Sequence, residues 1–213
     1  MWKRYLIIIF MLMMTMTGCS SPKTASKSNF TKAINAYYIK HPVYLFDTSV
    51  TSNFKFPVKI KPDMFSNNLI TAYQVLVSAN LLSVKDITTE ENVITIFGKG
   101  GKRTVSVKEY NLTDYGKKYY KEAASTNMIV GSKNGFFIGQ PEVLEITSYT
   151  EPADSAGVRI SNVSYKVKVS NIPDWAKKSE VLTAYPFAKK YLEPSIDAQI
   201  ILVLKNDGWV VAD

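Results

Sequence analysis

The sequence predicts an α+β protein in two consecutive units. A helix-and-hairpin unit spans 29–125, and a small antiparallel sheet packed with one or two helices spans 126–213. Three observations predict this. Apolar residues recur at helical spacing in Phe30, Ile34 and Tyr38, and again in Leu69, Tyr73, Leu76, Val77 and Leu81. Residues 158–170 alternate instead, with Val163, Tyr165, Val167 and Val169 on one side, the period of a half-buried strand. Turn signals at 98–102 and 206–208 separate runs rich in β-branched residues, as hairpins require. Roughly 185 residues beyond the polar segment suit one or two small domains. An apolar content of 46% can supply their cores.

Residues 20–28 are polar and without periodicity, so they read as a flexible tether. The first helix starts near Asn29 and is stopped by His41-Pro42, because a residue before proline avoids the helical region. Short extended pieces follow at 43–46 and 56–60. Ser66 is the expected N-cap of the second helix. Residues 92–97 then read as a strand, 98–102 as a turn and 103–110 as the returning strand. Thr113 is placed to cap a helix over 113–120. The second half opens after a glycine-containing break at 131–135. It continues with a strand within 136–149, a loop at 151–157 and the alternating strand at 158–170. A turn at 172–176, a helix capped by Ser179 and broken near Pro186, and a terminal hairpin of 198–205 and 208–211 complete it.

The first nineteen residues give the address. Lys3 and Arg4 precede an apolar run from Tyr5 to about Met16, and the run ends in Met16-Thr17-Gly18-Cys19. A basic start, a short apolar core and a small residue before a cut are the layout of a secretory signal peptide. The run falls short of the about 20 apolar residues that span a bilayer. Met16-Thr17-Gly18-Cys19 resembles the lipobox of bacterial lipoproteins, with Met16 where Leu is commonest. The resemblance implies cleavage between Gly18 and Cys19, with diacylglycerol on the Cys19 thiol and an N-acyl chain on its new amine. These covalent lipids are the only added groups expected, with no other cofactor and no metal. Ser20 implies sorting to the outer membrane in a Gram-negative cell. Cys19 is the single cysteine, so no intrachain disulfide or thiolate metal site is available.

The order helix, hairpin, then Tyr110-Asn111-Leu112-Thr113-Asp114-Tyr115-Gly116 resembles a winged-helix domain, whose wing closes with this pattern. The resemblance puts Lys99, Lys102 and Arg103 at the wing tip. Behind an export signal it implies a scaffold for packing or protein contact, with no nucleic acid partner. The second half resembles uncharacterised enterobacterial lipoproteins through Thr150-Glu151-Pro152-Ala153-Asp154 and Ile172-Pro173-Asp174-Trp175-Ala176. That resemblance implies no activity.

Chemical candidates are sparse. His41 is the only histidine and no Gly-x-Ser-x-Gly is present, which argues against a nucleophilic triad. Gly98-Lys99-Gly100-Gly101-Lys102 lacks the P-loop spacing and sits between strands. Glu142 and Glu145 point to opposite faces of one strand, while Glu151 and Asp154 sit in a loop too sparse for a calcium site. Tyr and Trp anchor many interfaces, so Trp175 joins Lys99, Lys102 and Arg103 as a candidate partner-binding residue. Removing Lys3 and Arg4 lowers the formal charge from +8 to +6. The expected function is therefore a non-enzymatic protein-binding or structural module of the cell envelope, anchored in the outer membrane and facing the periplasm. The alternatives are an immunity lipoprotein that neutralises an envelope-targeted toxin, and a carboxylate-dependent envelope hydrolase.

Overall fold

A computed structural model describes residues 21–46, 55–95, 98–122 and 134–212. The fold is α+β. Its elements in chain order are α1 (Lys27–Lys40), β1 (Val43–Phe46), β2 (Val58–Ile60), α2 (Asn67–Ser78), β3 (Leu82–Thr95), β4 (Gly98–Leu112), α3 (Asp114–Lys117) and β5 (Tyr120–Lys121). Then come β6 (Gly135–Tyr149), β7 (Ala153–Ser155), β8 (Val158–Ser170), a 3-10 turn (Asp174–Lys177), α4 (Ser179–Ala184), a 3-10 helix (Pro186–Leu192), β9 (Ile196–Lys205) and β10 (Gly208–Val211).

Packing groups these elements into two compact units that interleave in sequence. The first unit joins residues 21–37 to Glu145–Tyr165 and Ala198–Asp213; the second joins Tyr38–Leu144 to Lys166–Asp197.

In the first unit the strand order is β6-β8-β9-β10, with β7 on β8. The terminal hairpin forms as expected, Lys205 opposite Gly208 and Leu202 opposite Val211. Strand β8 buries Val163 and Tyr165, as its alternation requires. Helix α1 buries Phe30, Ala33 and Ile34. The Phe30 ring meets Tyr149 and Trp209 edge-on, each at 5.0 Å between centroids. Such pairs add about 0.5–1.5 kcal/mol each beyond burial. The described part of the expected tether is not free. Residues 21–26 fold into a turn leading into α1, and Ser26 Oγ accepts from the Asn29 amide at 3.2 Å. That bond satisfies a donor which a helix start leaves orphaned.

In the second unit, β1 and β5 both pair with the start of β6, and a separate three-stranded sheet runs β2-β4-β3. Tyr73 and Leu76 of α2 are fully buried against a core that includes Leu81, Tyr110, Phe136, Trp175 and Val181. Ser66 holds the N-cap position of α2, but its hydroxyl does not cap the helix. It donates to the Lys61 carbonyl at 2.7 Å and accepts from the Asp63 amide at 2.9 Å, fastening the preceding turn instead. The helix ends in a Schellman motif. Asn80 adopts φ +61°, its amide bonds the Val77 carbonyl at 2.8 Å, and the Leu81 amide bonds Leu76 at 3.0 Å.

The hairpin differs from expectation. Strand β3 starts at Leu82, ten residues early, and its pairing with β4 continues to Thr95 opposite Gly98. Residues 98–102 are thus strand and not turn. Strand β3 is an edge of its sheet, and Lys85, Asp86, Glu90 and Glu91 give it the charge an exposed edge strand carries. The helix after Thr113 is also shorter than expected. It lasts one turn and gives way to β5, because Tyr119 and Tyr120 are drawn into pairing and packing with β6.

The Tyr-x-Leu-Thr-x-x-Gly pattern has a physical basis. Thr113 Oγ1 accepts from the Gly116 amide at 2.8 Å and donates to the Asn80 carbonyl at 2.6 Å. The Thr113 amide bonds the Leu81 carbonyl at 3.1 Å. Gly116 lies directly on that carbonyl: a Cβ there would sit 1.9 Å from the Leu81 oxygen. Four residues therefore tie the end of α2 to the end of β4. Toward the chain's end, Ser179 is the first residue of α4, and Lys178 holds the cap position without a side-chain bond.

Candidate functional site

The residues singled out by sequence do not converge. Gly18 and Cys19 lie outside the described residues, as does the Lys99 side chain. Lys102 and Arg103 stand on β4, not on a turn, and both are paired. Lys102 Nζ bonds Glu90 at 3.0 Å. The Arg103 guanidinium contacts Glu91, which Lys61 also reaches at 2.9 Å. Lys61 first, and then Arg103, hold the Glu91 carboxyl below its ordinary range. The cross-strand register explains the pairing, since Lys102 faces Asn92 and Arg103 faces Glu91. Two charges expected to form a free basic tip are thus neutralised by acids on β3. Trp175 is 2% exposed and belongs to the core, between Tyr119 and Phe136. It offers no surface. Its Nε1 is buried with no acceptor among the described residues.

The carboxylates read as acid and base candidates are dispersed. Glu142 pairs with Lys168 at 3.5 Å. Glu145, Glu151 and Asp154 are exposed on the first unit. A groove of about 620 Å³ on that unit is lined by Ser148, Thr150, Asn162, Ser164 and Gln199 together with apolar neighbours. Its lining is hydroxyl and amide, without a carboxylate. Among the described residues no group of three or more His, Cys, Asp or Glu could hold a metal ion, and no helix is long and apolar enough to cross a membrane.

Two features emerge that sequence reasoning missed. The first is an apolar pair on a rigid turn of the second unit. Met64 is 79% exposed and Phe65 89%. The turn beneath them is fixed. Asp63 Oδ1 accepts from the Phe65 and Ser66 amides, both at 2.9 Å. These backbone bonds, Ser66 before Phe65, depress the Asp63 pKa. Exposing two large apolar side chains forgoes about 1.5–3 kcal/mol of burial for each. The available signal was Pro62-Asp63-x-x-Ser66, although Phe65 stands four residues before Leu69 and so continues the apolar register of α2.

The second is a clasp on the N-terminal segment of the first unit. The Asn29 side-chain amide donates to the carbonyls of Ser21 and Thr24, both at 2.9 Å. Trp209 Nε1 donates to the Lys23 carbonyl at 3.1 Å. Asn29 and Trp209 are both buried. In a buried setting such bonds are costly to leave unmade. No local pattern announces them, because Trp209 lies 186 residues from Lys23.

A further polar row lies on the three-stranded sheet. Glu109, almost fully buried, sits between Lys59 at 3.5 Å and Lys85 at 2.8 Å. The Lys85 ammonium, and after it the Asn111 amide, hold its carboxyl below the ordinary glutamate range. This is a structural ion triad with every member on an adjacent strand.

Searches against protein-family models, curated proteins and solved structures found no match.

Proposed function

We propose that the protein is an outer-membrane-anchored, periplasm-facing lipoprotein that acts as a non-enzymatic protein-binding module. The anchor is diacylglycerol and an N-acyl chain on Cys19 after cleavage at Gly18. Met16-Thr17-Gly18-Cys19 behind a basic, apolar leader supports that address. The single observation that supports binding is the Met64–Phe65 pair, held outward by a turn whose backbone is bonded to Asp63. The partner is a protein with an apolar pocket, because two apolar side chains presented from a hydrogen-bonded turn suit insertion at the centre of an interface.

Helix α2, the β3–β4 hairpin and the Thr113-capped turn follow the order of a winged-helix unit, here used as a scaffold. The immunity reading, in which the partner is an acidic toxin, draws on the +6 charge of the chain from Cys19. The pairing of Lys61, Lys102 and Arg103 with acids lessens that support.

A photo-crosslinking amino acid placed at Phe65 in living cells tests the binding reading. A discrete adduct at Phe65, absent when the crosslinker replaces exposed Thr104 of the hairpin, is the expected outcome. No adduct at Phe65, or equal smears at both sites, would count against it.

A further inference from the structure

The N-terminal clasp adds an orientation to the anchor, and this inference rests on the lipidation reading above. We propose that one end of the first unit lies directly against the phospholipid headgroups of the membrane that holds Cys19. That end is formed by residues 21–24 and the β9–β10 turn.

The reach of the chain sets this orientation. Once the chain begins at Cys19, only Ser20 separates the lipidated residue from Ser21, whose carbonyl is already held by Asn29. Three residue steps carry the chain from Cys19 to Pro22, at most about 11 Å when fully extended. A free nine-residue tether over 20–28 would instead spread over about 17 Å on average and reach about 30 Å. The clasp removes that freedom. It also selects which surface comes down. Pro22 is packed on Gly208, where a Cβ would meet the Pro22 carbonyl oxygen at 3.0 Å. Gly208 further adopts φ +125°, a conformation that other residues rarely adopt. Trp209, next in sequence, holds Lys23. The β9–β10 turn is therefore carried to within the same short reach of the bilayer.

The chemistry of this end suits headgroups. Lys23 and Lys205 are exposed and can meet lipid phosphates, with Asn206 and Asp207 sharing the turn. The net charge of these four residues is only one positive unit, so attraction to lipid phosphate is secondary. The short, fastened connection carries the orientation. Two acyl attachments then hold the unit on the surface persistently.

The test uses the acylated full chain with Asn206→Cys. Cys19 is blocked as a thioether, so the new thiol is the sole labelling site. An NBD probe there is read in vesicles of phosphatidylethanolamine and phosphatidylglycerol containing a headgroup spin-labelled lipid. We expect the spin label to lower its emission at least about twofold, and a ten-residue Gly/Ser insertion between Ser20 and Ser21 to restore most of it. Equal quenching with and without the insertion overturns the proposal. So does a probe that the lipid quencher cannot reach, including one shielded from aqueous iodide as well, which would mean that protein covers this end. Mass spectrometry of the same sample separates the two readings. An acylated chain with an unquenched probe refutes the orientation alone, whereas an unacylated Cys19 removes the anchor and the orientation together.

Discussion

Gly116→Ala should be among the most damaging single-methyl changes in the chain. The added Cβ would lie 1.9 Å from the Leu81 oxygen and 2.8 Å from its carbonyl carbon. Ordinary contact begins beyond 3.4 Å, so backbone must move by more than an ångström. The obstructing atoms belong to the peptide that accepts the Thr113 amide, so movement also strains the Thr113 cap. Overpacking against a well-packed neighbour costs about 1–3 kcal/mol, and loss of a cap adds about 1 kcal/mol. A loss of about 3 kcal/mol is thus expected, a large part of the 5–15 kcal/mol that holds a typical domain folded. Gly101→Ala is the control, with nothing within 4 Å of its added methyl. It should fall within about 0.5 kcal/mol of the parent. Equilibrium urea unfolding followed by circular dichroism gives both values. Equal stabilities for the two variants would refute the packing of Gly116 on Leu81.

Other outcomes follow from the same contacts. The folded pKa of Glu109 is depressed, so its ion pairs stabilise the fold above the ordinary glutamate value of about 4.3 and are lost as pH falls through the lower folded value. Glu109→Gln should destabilise at neutral pH and flatten the acid limb of a stability–pH curve; an unchanged limb would contradict the triad. Trp209→Phe removes the bond to Lys23 and should raise amide hydrogen exchange across residues 23–29 by about tenfold, the equivalent of about 1.4 kcal/mol. Trp175→Phe, which removes a donor with no acceptor among the described residues, should leave exchange in that segment unchanged. Replacing Met64 and Phe65 together with Ser should alter stability by less than about 0.5 kcal/mol, because both are exposed. The same double change should abolish the partner adduct that the binding reading expects.

Much of the local structure was legible because it rests on local physics. The alternation of Val163, Tyr165 and Val167 marks β8, and Asn206-Asp207-Gly208 marks the terminal turn. Thr113 caps as its position indicates. The failures share one cause, which is long-range pairing. Glycines at 98–101 suggest a turn, yet cross-strand partners from Asn92 to Thr95 hold that segment as strand. Residues 21–28 look like a tether by composition, but Asn29 and Trp209 fasten the described part. The basic character of Lys102 and Arg103 was visible, whereas their neutralisation depends on a register that brings Glu90 and Glu91 alongside. Trp175 could anchor an interface or fill a core, and only the packing of Tyr119 and Phe136 around it decides for the core. The exposed Met64–Phe65 pair was hidden by a run that blends into α2 until the Asp63 bonds define the turn.

Lipidation of Cys19 underlies the proposed address, and intact-mass analysis of the protein from isolated outer membranes tests it most directly. The expected result is a chain that begins at Cys19 and carries the added mass of a diacylglyceryl group and one N-acyl chain, with Cys19→Ala retaining its leader and adding no lipid. A chain that keeps Met1–Gly18, or one whose Cys19 is a free thiol, would contradict it.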